Sequence, residues 1–310
     1  APSVALSVVG FGGVVFGAGM ASSYGWTSPV VLGALVAGIA CLALYARRQL
    51  SMEVPIIDVR IFSHQGFRVG AVCMMVNFGI TLSAMYVLPQ FYQSGMLLAV
   101  ALTGVVMLPG GIVNALVSMI SGRIYDRIGA RGPAICGFGL SIVGAAALLF
   151  VTPDSSLAYV VACHVTMMLG VSLAMSPCQT HALSSLPREL SADGSTALNT
   201  MQQVLGAVCT AVATSLLTAG QASYVAAGGT DVTLAFTQGS HWGFAFALAL
   251  AVAGFACALR IKVKKRANVG TGEIAAANAA ARAAAKASAA GNVGSDGASP
   301  RDAAKSGARA

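Results

Sequence analysis

The chain has 310 residues, 56% apolar and 9% charged, with a mean hydropathy of +0.78 and a formal net charge of +8. Soluble domains carry about 25% charged residues, so a soluble core of any class is excluded and a polytopic, all-α membrane protein in the lipid bilayer is expected. The positive charge does not mark a nucleic-acid partner, because the basic residues flank apolar runs and do not share one soluble face.

In chain order, the first predicted span is Val4–Met20, with Gly13 and Gly17 in a pattern that lets membrane helices approach closely. Ser22–Pro29 is a short loop whose Tyr24 and Trp26 suit the membrane interface. Span two, Val30–Ala46, stops at Arg47 and Arg48. The polar segment 49–66 contains Pro55–Phe62, which reads as a short amphipathic connector along the membrane surface. Span three is Phe67–Pro89, and span four is Ala99–Ser121, interrupted by Pro109-Gly110-Gly111, where a kink is expected. Spans five and six are Pro133–Val151 and Leu157–Leu183, separated by a tight turn at Thr152–Ser156. Ser184–Gly194 is polar, span seven is Ser195–Ala219, and Gln221–Ser240 is read as a longer loop before span eight, His241–Leu259. Residues 267–310, rich in Ala, Gly and Ser, have no face of large apolar residues to bury and are expected to form a disordered tail.

Basic residues fix the orientation. With Arg47 and Arg48 inside, the inner flanks also collect Arg60, Arg68, Arg123, Arg127, Arg131, Arg188 and Arg260, whereas the four outer loops hold no Lys or Arg. This positive-inside pattern predicts eight spans in the cell membrane with both ends cytoplasmic. The seven cysteines lie in apolar runs without a Cys-x-x-Cys pair, so they read as small buried residues with no disulfide framework and no metal site. No cofactor motif is present.

The stretch from Gly122 to Arg131 is the dense charge cluster between two spans. Gly122 is expected to let a helix end pack closely, Asp126 to sit near the positive N-terminus of the next helix, and Gly129 to permit a sharp turn. The pattern Gly122, Asp126, Arg127, Gly129, Arg131 resembles the loop signature of the major facilitator superfamily. In that family each half has six helices and the signature follows a half's second helix. The resemblance therefore implies a C-terminal six-helix unit at residues 67–260, preceded by two extra helices at 1–48 and the connector 49–66, and followed by a cytoplasmic tail at 261–310. Two surplus helices resemble the fourteen-helix drug:proton antiporters, and Leu108-Pro109-Gly110, the Ser176-to-Thr180 piece, and Asn199 with Gln203 and Gly206 resemble that family too. The resemblance implies the C-terminal part of a secondary active transporter that exports drugs or other small amphipathic compounds by alternating access.

The same resemblance puts the substrate near the midplane, lined by spans three and six. On span three Asn77, Thr81 and Met85 follow four-residue steps; on span six His164, Met168, Ser172, Met175 and Gln179 form a similar stripe; span seven offers Asn199, Gln202 and Gln203. Thioethers and carboxamides on an apolar wall suit a loose pocket, and helix–helix hydrogen bonding is the competing reading for each of them. Tyr86, Tyr92, Tyr159 and Trp242, near span ends, read as interface anchors. No acidic residue falls inside a span, so protons, the expected coupling ion, would act through a first half that this chain lacks; His164 reads as a core histidine before a proton carrier. Two other classes stay open: a non-transporting scaffold or inactive half, and an intramembrane enzyme. For the enzyme, Ser172 and a base at His181 or His241 are too far apart along the chain's spans, and no His-Glu-x-x-His pattern exists.

Overall fold

The computed structural model describes residues 2–52 and 58–261. Among them it shows no strand and eight long helices: α1 Pro2–Tyr24, α2 Pro29–Leu50, α3 Gln65–Gln90, α4 Val100–Ile128, α5 Arg131–Leu148, α6 Leu157–Ser184, α7 Ser191–Ala226 and α8 Val232–Ala258. All eight are long and apolar enough to cross a membrane. The chain is thus an all-α, multi-pass integral membrane protein.

Local chemistry sets several helix ends. Pro29 opens α2, where its missing N–H costs nothing. Ser156 caps α6 by accepting from the Tyr159 amide at 3.3 Å. Asp231 caps α8, its Oδ1 accepting from the amides of Thr233 at 2.8 Å and Leu234 at 3.3 Å. Gly129, at φ +80°, ends α4, as the sequence predicts, in a backbone region that side-chain-bearing residues avoid.

The centre of the bundle is α3 and α6. Half or more of each hydrophobic span is buried, against 17% for α2 and α4. Helix α6 packs on α3, α4 and α5, while α8 packs on α3, α5 and α7. Phe67, Phe91, Tyr92, Phe138 and Phe244 are fully buried among them. The α1–α2 hairpin closes through glycine: a Cβ on Gly13 would lie 3.0 Å from the Gly38 Cα, and one on Gly17 would lie 2.9 Å from Leu35. The hairpin rests on α7 through α1, and Trp26 donates its indole N–H to Ser215 Oγ at 2.9 Å. Of the connector, the described part is a 3₁₀ turn at Val59–Ser63 that buries Ile61, exposes Arg60 and sets Phe62 edge-on to Phe67. The Asp58 amide donates to Asp193 Oδ2 at 3.3 Å, which ties the connector to α7. Residues 53–57 of the connector and the tail from 262 onward lie outside the described residues.

Several boundaries differ from expectation. The stretch Gly122–Ile128 is helical: the i→i−4 ladder of α4 runs on to Gly129, whose amide still donates to the Tyr125 carbonyl at 2.8 Å. Only Gly129 and Ala130 separate α4 from α5. Asp126 therefore lies in the last turn of α4, not at the start of α5. A Cβ on Gly122 would meet nothing nearer than Ser176 Oγ at 3.8 Å, so this glycine does not serve close packing here. Pro109 does not interrupt α4. The expected loop Gln221–Ser240 shrinks to residues 227–231, because α7 continues to Ala226 and α8 begins at Val232. At about 1.5 Å per residue, the 36 residues of α7 reach about 54 Å, well beyond a hydrocarbon core of about 30 Å, so its ends project into polar surroundings. His241 consequently lies within α8, its Nε2 2.7 Å from the Val151 carbonyl. Tyr92 is no interface anchor. Helix α3 passes into a π-helical turn, Phe91–Gly95, which folds the ring under α8 and buries it completely. All seven cysteines are free, and Cys136 is exposed on α5, not buried as expected.

Candidate functional site

The residues that the sequence singles out divide into a buried and an accessible set. Asn77 is fully buried on α3 and donates its amide to the Val171 carbonyl at 2.9 Å and to the Met175 sulfur at 3.4 Å, so it binds α3 to α6. Its Oδ1 has no partner, which costs about 1–3 kcal/mol for a buried acceptor. Thr81 turns its hydroxyl back to the Asn77 carbonyl at 3.0 Å. Met85, by contrast, is exposed. Four-residue steps drift by about 40° each on a helix of 3.6 residues per turn, so the face that starts buried at Asn77 emerges by Met85.

On α6 the stripe also divides along its length. His164, Met168 and Ser172 are buried, whereas Met175 and Gln179 are half-buried. Ser172 Oγ donates to the Met168 carbonyl at 2.6 Å, within its own helix. Met168 faces α4, where the Asn114 amide approaches its sulfur at 3.9 Å. His164 is 3% exposed, and its ring lies where a Cβ of Gly110 on α4 would be. Its Nδ1 has no hydrogen-bond partner. On α7, Gln202 is buried while Asn199 and Gln203 are exposed. Gly206 lets α7 close on α3: a Cβ there would sit 2.5 Å from Leu82 and 3.0 Å from Phe78.

Two features escaped the sequence reading. Asn114 and Ser118, one turn apart on α4, form a polar pair at 3.4 Å beside α6. Gly110 is a seat for His164, although the sequence marks it as a kink signal after Pro109 and as part of a family-like Leu108-Pro109-Gly110 piece. The opposition of a glycine to a mid-span histidine is visible only once α4 and α6 are in contact.

The signature residues gather at the C-terminal end of α4. Tyr125 and Ser184 share a hydrogen bond at 3.3 Å that ties this end to α6. Asp126 and Arg127 are exposed in the last helical turn, and Arg131 is the first residue of α5. A carboxylate near a helix C-terminus and a guanidinium at an N-terminus both oppose the helix dipole, so the dipole does not account for Asp126 or Arg131 at these positions. Among the described residues no group of three or more His, Cys, Asp or Glu is placed to hold a metal ion.

Residues 3–210 match the sequence profile of the Major Facilitator Superfamily. Over 223 residues, 72% of this chain and 47% of the relative, the sequence is 39% identical to the lincomycin resistance protein LmrB of Listeria monocytogenes. The LmrB protein of Bacillus subtilis is 38% identical over 225 residues, covering 72% of this chain and 47% of that protein. The multidrug resistance protein Stp of Mycobacterium tuberculosis is 26% identical over 215 residues, 69% of this chain and 40% of Stp. The chain spans about half the length of the curated relatives it matches. Eight apolar helices, the α4–α5 signature and this match together identify the chain as a member of the Major Facilitator Superfamily.

Proposed function

We propose that this chain is the C-terminal part of a proton-coupled exporter of drugs or other small amphipathic compounds, working by alternating access in the cell membrane. In this reading residues 67–260 are the C-terminal six-helix unit, residues 1–48 the two extra helices, 49–66 the connector and 261–310 a cytoplasmic tail. Both ends face the cytoplasm, as the basic flanks require.

The observation that carries the reading is the exposed polar face of α7, where Asn199 and Gln203 stand on a membrane-crossing helix. A carboxamide left in hydrocarbon without partners costs several kcal/mol, so this face meets water or protein, not lipid tails. A second helical half across an aqueous cavity meets that need, and relatives about twice as long leave room for one. Thr81, Met85, Met175, Gln179, Asn199 and Gln203 then line this side of the cavity. Asn77, His164, Met168 and Ser172 hold the helices behind it. No acidic residue lies within the described membrane spans away from their ends, so any carboxylate that carries coupling protons belongs to the other half. The names of the relatives make lincomycin the first compound to test.

The test is uncoupler-sensitive export of lincomycin or a fluorescent dye, normalised to membrane-inserted protein. The chain expressed with a complementary first half is expected to export, and the chain alone is not. The double variant N199A/Q203A is expected to lower export at equal membrane level. Export by the chain alone removes the division into halves, and absence of export from both removes the function.

A further inference from the structure

In the middle of the α4–α6 contact an imidazole lies on a glycine. His164 fills the space over Gly110 so closely that an added Cβ would overlap its ring, with Nδ1 at 2.8 Å. The ring is almost wholly buried and its Nδ1 is unpartnered. Buried nitrogens without partners are rare and persist where they have a task. Next to the seat, Pro109 has no N–H to offer the Val105 carbonyl, a place where a helix yields more easily than elsewhere. Below the seat the contact includes polar groups: Asn114 near Met168 at 3.9 Å, Gly122 near Ser176 at 3.8 Å, and Tyr125 on Ser184.

The surroundings decide what a proton on this ring would do. Helix α4 carries no titratable residue between Val100 and Gly122. From α5 there are only Arg131 and Cys136, both at its inner end. Helix α3 brings Arg68, Cys73 and Tyr86, followed by Tyr92 in the π-helical turn; α7 brings Asp193, Cys209 and Tyr224. On α6 itself are Tyr159, Cys163, Cys178 and His181, with Asp154 in the turn before it. None of these puts a carboxylate at the depth of His164. An imidazolium there has two donors and no carboxylate counter-ion, and its Nδ1 is sealed from solvent while Gly110 covers it. It is stable only when α4 has moved off and water enters.

We propose that His164 is a proton-binding site in this half, and that its protonation releases α4 from α6 about the Gly110 seat. Binding and opening are then linked reciprocally: an opened seam takes up a proton, and closing the seam expels it. Its role in coupling rests on the efflux reading above; the proton site itself does not.

The experiment uses the whole protein reconstituted in liposomes, in a cysteine-free background. Spin labels on Leu116 of α4 and Thr180 of α6 report one seam; labels on Val143 of α5 and Thr180 report the other. From about pH 8 to about pH 5 the α4–α6 spacing is expected to widen, with about a tenfold change in the open-to-closed ratio, while α5–α6 stays fixed. H164Q is expected to remove the response, and G110A to hold the seam wide at every pH. A seam that ignores pH, or responds equally in H164Q, overturns the proposal. Should H164Q fail to fold, imidazole NMR of the unsubstituted protein decides: a His164 signal that does not titrate over that range overturns it as well. Proton-driven export unchanged in H164Q removes His164 and leaves the efflux reading standing. His164-dependent opening with no export does the reverse.

Discussion

Helix α6 has two neighbours that it meets in opposite ways. Against α5 the backbones touch: a Cβ on Gly137 would lie 2.6 Å from the Gly170 carbonyl, and one on Gly144 would lie 2.7 Å from the Met167 amide nitrogen. Ser141 sits in the same seam with its hydroxyl turned to its own helix, donating to the Gly137 carbonyl at 3.1 Å. Against α4 the one glycine that an added Cβ would drive into α6 is Gly110, and there it would meet a side-chain ring and not backbone. Without a hydrophobic force between helices in lipid, dispersion at close range holds membrane helices together. The first seam is therefore locked by backbone, whereas the second, in the proposal above, is the one that moves, although both belong to the same helix.

The largest effect is expected from filling the fixed joint. In Gly170→Ala the new methyl would meet the Gly137 carbonyl oxygen and stand 2.6 Å from the Ser141 amide nitrogen, atoms that cannot turn away. Overpacking costs about 1–3 kcal/mol, and rigid backbone on both sides puts this site at the upper end. The expected outcome is a large drop in thermal midpoint or in folded yield from detergent. Gly122→Ala in the other seam is its control. With 3.8 Å to the nearest atom, it is expected to be neutral or to gain up to about 1 kcal/mol from the better helix former. Equal losses at both sites would erase the distinction.

Next comes the corner that joins α4 to α5. Gly129 holds φ +80° and ψ −173°, a region open essentially to glycine. Gly129→Ala is expected to cost about 1–3 kcal/mol through strain alone, since no atom lies near enough to clash. Denaturation of the variant in detergent measures it. A wild-type midpoint would mean that the corner relaxes, and with it the angle at which α4 meets α6.

Asp126→Asn separates function from stability. Asp126 is exposed in the last turn of α4, and exposed ion pairs contribute about 0–1 kcal/mol. The variant is expected to insert and melt as the parent does. In the complete transporter it is expected to lower export strongly, because a bias of about 1.4 kcal/mol between two states already changes their ratio tenfold. Full export at equal surface level would return this segment to a plain positive loop.

These contrasts also show what a linear chain reveals. Span number, the turn that ends at Ser156 and the corner at Gly129 follow from local composition, and the structure places helix ends there. The true length of α7 and the start of α8 do not. Hydropathy falls at Gln221–Ser240 while the backbone hydrogen bonds run on, because hydropathy marks where lipid ends, not where a helix ends. Candidate residues were legible as polar groups in apolar surroundings. Which of them face a cavity was not, because that depends on helix rotation: Asn77 and Met85 share a nominal face, yet one is buried and the other open. Gly110 needed a partner from another helix to acquire meaning.

The smallest effect is expected where neither seam is involved, at the α8 cap. Asp231 lies outside the spans, and its carboxylate is held below its ordinary range, first by the Thr233 hydroxyl, donating at 2.6 Å, and then by the Leu234 and Thr233 amides. A depressed carboxylate stabilises the fold above its unfolded value, about 3.9, and that contribution fades as pH falls through the lower folded value. The cap is therefore complete at neutral pH and is lost only below about pH 4. Hydrogen exchange of the Thr233 and Leu234 amides is the readout: protection is expected to hold through the neutral range and to fall in acid. Asp231→Ala should show the unprotected rates at every pH, while the α4–α6 and α5–α6 spacings stay as in the parent. A seam that shifted with this variant would mean that the N-terminal end of α8 feels the bundle, and the proposed movable joint would then extend beyond α4.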